Sequence, residues 1–355
     1  MVETRAFLLA FGFFQSFLAS GIIYGWPGLL LVLKAEGFYG HLCLPPSAMA
    51  GGGGSGAGLH LLAAAGCPAQ QTALNALFTV AQSALTGAML VHGVVLDLCG
   101  PRITSVTGTC LVLVGSVAFA LCDPTADLDL SVVALSTMGV GGAAVHLSWF
   151  HISNLFPSRK QTISSIVIAA FVGSGVVFQL WQLAVTSSFG RREIFLSHSV
   201  AVALCLPVAA RVWPDRPFAL GDQLRFTGMS LGYSVTPAAK GGASTAIAAA
   251  RMAPAEHKMP LRQQLGSPVF WHVMLFFAVQ FFRYVWLLGT LLDQMESKGD
   301  TTHLYSKIAG WALPCAALGQ PVLGLVLDRY GFARGFLSVI CCGAMCVTAW
   351  PPHLR

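Results

Sequence analysis

Charge is what this sequence has least of. Asp, Glu, Lys and Arg together make up 10% of its 355 residues, against roughly 25% in a soluble globular domain. A chain so poor in charge has little need of a water-facing surface. Acidic residues are missing from the middle of every long apolar run. Carboxylate-driven proton coupling therefore has no evident carrier there. The ten cysteines include no C-x-x-C pair, which gives no zinc or thioredoxin-like site. There is no H-E-x-x-H, no clustered histidine and no paired Asp within an apolar run. A membrane-embedded enzyme is therefore not the reading, and no cofactor or metal is implied. The 20 basic residues exceed the 14 acidic ones, but they sit in short gaps between apolar runs. Nucleic-acid binding would need them clustered on one folded face, so nucleic acid is not an expected partner.

What the chain has in abundance is apolar sequence, 55% of its residues. A membrane helix needs about 20 apolar residues in succession. Nine runs meet that criterion, at 6–33, 73–96, 103–122, 130–154, 163–185, 194–212, 268–292, 307–327 and 334–350. The expected fold is all-α and polytopic, with the lipid bilayer as its surroundings. The first run contains Gly21, Gly25 and Pro27, which membrane helices tolerate better than soluble ones. It is too long for a signal-peptide core and lacks a small-residue cleavage site, so no cleavable leader is expected. With the N-terminus in the cytoplasm, thirteen of the twenty Lys and Arg fall on inner segments, six on outer ones, and Arg283 within a run. That bias favours a cytoplasmic N-terminus. A multi-pass protein of the plasma membrane is the expectation.

Two segments interrupt the runs. Residues 35–72 contain the low-complexity stretch Gly51-Gly52-Gly53-Gly54-Ser55-Gly56. Cys43 and Cys67 lie in this same expected outer loop. They either form a disulfide or serve as ordinary apolar residues. Residues 213–267 are rich in Ala, Pro and Gly and read as a flexible cytoplasmic loop. The expected division is therefore a six-helix bundle over 1–212, the loop 213–267, and a second, partial bundle over 268–355.

One pattern occurs twice. Gly93-x3-Asp97-x2-Gly100, then Arg102, follows the second run. Gly324-x3-Asp328-Arg329-x-Gly331, then Arg334, follows the eighth. Gly93 and Gly324 are expected to allow close helix contact. Asp97 and Asp328 are expected to cap the turn and pair with a base, and Gly100 and Gly331 to supply the reversal. Two copies at the same place in two groups of helices point to a duplicated transporter half.

This repeat resembles the cytoplasmic loop signature of the major facilitator superfamily. Further stretches resemble one branch of it, solute carrier family 43. They are Tyr24-Gly25-Trp26-Pro27-Gly28-Leu29, Leu33-Lys34-x-Glu36-Gly37-Phe38-Tyr39, Ser153-Asn154-Leu155-Phe156-Pro157-x-Arg159, and Ser267-Pro268-Val269-Phe270-Trp271. The resemblance implies twelve spans in two six-helix bundles around a central cavity. It also implies sodium-independent facilitated transport of a small neutral solute: large neutral amino acids first, purine nucleobases as the alternative. Arg355 comes just after the ninth run, so a truncated, non-transporting membrane protein or scaffold is a further alternative. Leu98 stands where the superfamily usually has a basic residue after the first Asp, which puts the latching role of Asp97 in question.

Candidate substrate contacts follow from polar and aromatic groups at membrane depth. Arg283 could offer its planar fork of donors to a carboxylate or carbonyl; its alternative is a snorkelling or stacked side chain beside Tyr284 and Trp286. Gln280 lies on the same helical face. Tyr24 and Trp26 could stack on a flat or apolar group, and Tyr284 stands next to Arg283. His146 and His151 are about 140° apart on a helix, so they do not form a metal pair; each is expected to hydrogen-bond a neighbouring helix. Gln15, Asn154, Ser164, Ser174 and Gln179 could line a pathway, although interhelical bonding is the commoner use. Spans one, four, five and seven are expected to line the site. Oligomeric state is not legible.

Overall fold

The computed structural model of the protein describes residues 2–43, 67–123, 130–184, 190–220, 222–226, 233–236, 261–300, 302 and 304–349. The stretch Gly51–Gly56 and most of the central segment lie outside them. Over the described residues, all nine expected runs fall on helices. The first is bent. Helix α1 (Val2–Ala19) gives way to a 3-10 turn, Ile22–Gly25, and resumes as α2 (Trp26–Ala35) after a bend of 53°. The second and third runs form α3 (Pro68–Leu121). Next come α4 (Leu130–Ser148), α5 (Lys160–Gly173), α6 (Val176–Ala184) and α7 (Arg191–Val212). Two short strands, β1 (Gln223–Phe226) and β2 (Tyr233–Thr236), pair antiparallel. The chain continues through α8 (Leu261–Leu265), α9 (Pro268–Ser297), α10 (Leu304–Cys315), α11 (Gln320–Tyr330) and α12 (Phe332–Ala349). Among the described residues six helical segments are long and apolar enough to cross a membrane, or seven with the bent pair counted.

Helix α3 is two spans, not one. Gln70 near its start donates to the Phe38 carbonyl at 2.7 Å, and Phe119 near its end stacks on the Phe38 ring at 6.2 Å. A straight helix would separate residues 70 and 119 by about 73 Å. The chain reverses at Gly100, where φ is 81° and ψ 173°. Gly331, between α11 and α12, has φ 79° and ψ 171°. These two values belong to a backbone region that is essentially open to glycine alone. The duplicated pattern thus carries a duplicated and unusual conformation at its third repeated position.

Two ends of the bundle can be told apart. At the near end, where α1 begins, Arg5 donates to the Asp222 carbonyl. Arg102 pairs with Asp215 at 2.7 Å and donates to the Trp213 carbonyl at 2.8 Å. At the far end Arg191 pairs with Glu36 at 2.8 Å. It also donates to the carbonyls of Phe119 and Cys122 that end α3, and its guanidinium lies over Phe38 and Phe119. One buried cation thus satisfies two C-terminal carbonyls and ties three spans together. Cys43 and Cys67 are joined by a disulfide at this end.

The start of the central segment differs from the flexible loop the sequence suggests. Trp213, Phe218 and Leu224 are buried in one apolar cluster with Leu8, Trp149 and Ile152. Trp213 Nε1 donates to Gln15 Oε1 at 2.9 Å, and Asn154 donates to the Phe218 carbonyl at 2.9 Å. Three large apolar side chains among the Ala and Pro supply the burial, and the β1–β2 pair adds the only strands among the described residues.

Gly100 and Gly331 allow a matched test. A Cβ at Gly331 would meet nothing, whereas one at Gly100 would run into the Asp215 backbone carbonyl. Gly331→Ala is expected to cost about 1–3 kcal/mol from backbone strain alone, and Gly100→Ala more. Thermal melting of the purified protein in detergent reads both; equal losses would contradict the added role of the Asp215 contact.

Candidate functional site

The two interrupted spans meet back to back. A Cβ at Gly21 would strike the Phe171 carbonyl, and one at Gly25 the Gly175 carbonyl. Only glycine lets these backbones touch. Their contact sets Tyr24 of the first span edge-on against Phe171 of the fifth, with centroids 5.2 Å apart. His146 of the fourth span stacks on Phe171 at 4.2 Å. Tyr284 of α9 approaches Tyr24 from the second group of helices at 5.7 Å. Gln82 of the second span donates to the Tyr24 hydroxyl at 3.4 Å, and its Oε1 is buried without a partner. Tyr24 is 3% exposed. Tyr24 and Phe171 lie at the breaks of their spans, and Tyr284 meets Tyr24 from the second group of helices.

The sequence candidates separate in space. Tyr24 and Tyr284 come together. Trp26 is buried on the same side, stacked on Phe78 at 5.2 Å, with Nε1 unpartnered. Arg283 and Gln280 bond to each other at 3.4 Å and are exposed, away from the aromatic cluster. The helix that carries them is apolar nearly all round, so sequence could not say which face turns inward. His146 does not bond outward through Nδ1, which has no partner; its ring packs on Phe171 instead. The His151 ring packs on Phe218 at 4.8 Å. Gln82 and Phe171 are unmarked in the sequence: a glutamine and a phenylalanine in apolar runs carry no spacing signal. Gln179 lies wedged between Gly28 and Gly310, one from each group of helices, with Nε2 unpartnered.

Contacts between the two groups close both ends around this cluster. At the far end Lys34 pairs with Glu296 at 3.4 Å, and Asn75 donates to Asp293 at 3.0 Å. Phe78 lies against Gly289. At the near end Asp328 accepts from the backbone N–H groups of Gln161 at 3.0 Å and Thr162 at 2.8 Å, and from the Thr162 hydroxyl at 2.6 Å. Those N–H groups belong to the first turn of α5, where no carbonyl within the helix can accept them and the helix dipole favours an anion. Gly324 lets α11 pack tightly on Thr162 and Ser165.

The first copy of the pattern behaves differently. Gly93 has nothing within 4 Å of a would-be Cβ, so the close helix contact expected there is absent among the described residues. Asp97 is exposed and caps nothing among them. Arg102 holds Asp215 and the Trp213 carbonyl instead. Arg329 lies over the Tyr330 ring at 5.6 Å, and Arg334 is exposed.

Two groups of membrane helices thus meet along a seam, with contacts at each end around an aromatic and amide cluster. The Major Facilitator Superfamily model matches residues 48–354, and the chain belongs to that family. It is an integral, multi-pass membrane protein of that family. It is 30% identical over 191 residues to Protein FMP42 of Saccharomyces cerevisiae, covering 54% of this chain and 35% of that one. It is 22% identical over 357 residues to the human Large neutral amino acids transporter small subunit 3, covering 87% and 63%. It is 23% identical over 348 residues to the bovine Equilibrative nucleobase transporter 1, covering 92% and 68%. The chain thus spans 35% and 63% of the length of the first two of these relatives.

Asp328→Ala is expected to cost about 1–2 kcal/mol through loss of the cap on α5. It should also loosen the near end, so that a cysteine placed at Ser165 reacts several-fold faster with maleimide. Unchanged labelling would contradict the latch.

Proposed function

We propose that the protein carries a small neutral organic solute across the plasma membrane by sodium-independent facilitated uniport, with its near end in the cytoplasm. The observation that carries this reading is the uncharged Tyr24–Tyr284 cluster, which lies on the seam between the two groups of helices and is enclosed by contacts at both ends. Rocking of one group against the other would open the far-end and near-end contacts in turn and expose the cluster to each side. The 1–212 bundle, the 213–267 linker and the 268–355 helices are the moving units in this account. No span offers a central carboxylate to carry a coupled proton, which supports uniport.

Two substrate classes follow from the names of the relatives. Large neutral amino acids are supported by the human relative at 22% identity. Purine nucleobases are supported by the bovine relative at 23% and by the cluster's lack of charged partners among the described residues. A non-transporting role as a scaffold is the competing account.

Uptake of radiolabelled leucine and adenine into proteoliposomes holding the purified chain separates these readings. The expected result is saturable uptake of one of them, unchanged when sodium is replaced by choline. Uptake of neither by folded, correctly inserted protein would contradict the carrier reading and favour the scaffold.

A further inference from the structure

The layer of side chains just beyond the cluster, toward the far end, is built on glycine. Gly28 lies four residues after Tyr24, Phe78 four before Gln82, and Gly289 five after Tyr284. Each is about one helical turn nearer the far end. Two wedges fill this layer. On one side the Phe78 ring of α3 seats against Gly289 of α9, where a Cβ would come within 3.1 Å of the ring. On the other side the Gln179 amide of α6 seats against Gly310 of α10, where a Cβ would come within 3.0 Å of Nε2 and Oε1. In both, a flat side chain of the first group of helices takes the space that a glycine of the second group leaves open.

The wedges differ in chemistry. Phe78 belongs to one buried apolar cluster with Trp26, Leu288 and Leu292, and close van der Waals contact there favours closure. Gln179 is 1% exposed, and its Nε2 has no partner among the described residues. A buried donor without a partner raises the free energy of the conformation that buries it. Nor can the amide retreat from Gly310. Its other face lies against Gly28, where a Cβ would come within 2.9 Å of Cδ and Nε2. The closed layer thus holds one polar side chain between two glycines. Parting of the groups removes the cost, because Gly310 leaves with the second group and the amide then meets the opened path.

Building on the carrier reading above, we infer that Gln179 is the gating residue between the Tyr24–Tyr284 site and the far end. Its amide closes the path by filling the space between Gly28 and Gly310. Its unspent N–H keeps that closure shallow, so the far end reopens in each cycle. A side chain at position 310 would hold the two groups apart. Gln179 therefore sets how much of the time the far end is shut.

The test reads closure directly in the full purified chain in detergent. Cysteines replace Lys34 and Glu296, which meet at 3.4 Å at the far end, and the rate at which they form their own disulfide measures the closed population. Gly310→Ala should slow that rate about fivefold or more, because the added methyl overpacks an amide with nowhere to go. Gln179→Ala in the same chain should restore it by vacating the space. Gly319→Ala, in the same span but with nothing near its Cβ, should leave it unchanged. Gln179→Met, unbranched and without the N–H, should speed cross-linking about threefold or more. A Gly310→Ala chain that closes as fast as its parent, or one that Gln179→Ala fails to rescue, would overturn the gate. So would slower cross-linking in Gln179→Met. Rates in the expected order support the gate whatever the solute, and uptake of leucine and adenine in proteoliposomes, measured in parallel, decides the carrier reading separately.

Discussion

The structure depends on backbone contact between two interrupted helices. Gly21 and Gly25 in the first span leave no room for a side chain against the carbonyls of Phe171 and Gly175 in the fifth. Gly142 of the fourth span presses in the same way on the Ser20 carbonyl. In a bilayer there is no hydrophobic force between helices, so small residues that permit close van der Waals contact decide how spans pack. This contact fixes where Tyr24 and Phe171 emerge, and with them the cluster to which Tyr284 adds from the other group of helices. Around that centre, polar side chains bind the first group internally. Gln15 donates to Ser105 and Thr109 and accepts from Trp213, and His198 bridges Ser116 and the Leu18 carbonyl. Each satisfies groups that lipid could not.

The repeated loop pattern shows one local conformation put to two uses. The backbone at Gly100 and Gly331 is the same within a few degrees. In the second copy the aspartate crosses the seam and caps α5, and the glycine ahead of it lets the helices close. In the first copy the arginine and the reversal glycine hold the segment at 213–215 within the same group of helices. Asp328 therefore bears on the relation between the groups, whereas Arg102 stabilises one of them.

Much of this was legible in the sequence where physics leaves few options. A bilayer requires about 20 apolar residues per span, so the spans could be placed from the apolar runs. The paired glycines could be singled out because a tight reversal suits few other residues. Charge was a poorer guide. Arg283 drew notice as a basic residue deep within an apolar run, yet an apolar helix gives no sign of which face turns inward, and Arg283 lies outside the cluster. Gln82 and Phe171 had no mark beyond their residue type. The spacing of Cys43 and Cys67 was compatible with a bridge or with two free thiols, and only their juxtaposition decides. The packed start of the central segment was hidden because Trp213, Phe218 and Leu224 are few among many Ala, Pro and Gly residues.

The central claim is that the seam opens at alternate ends about the Tyr24–Tyr284 site. Its most direct test is a reversible lock on the far end. Cysteines replacing Lys34 and Glu296, whose side chains meet at 3.4 Å, would be cross-linked in proteoliposomes that take up solute. The account predicts that uptake stops on cross-linking and returns on reduction. Undiminished uptake by fully cross-linked protein would contradict it.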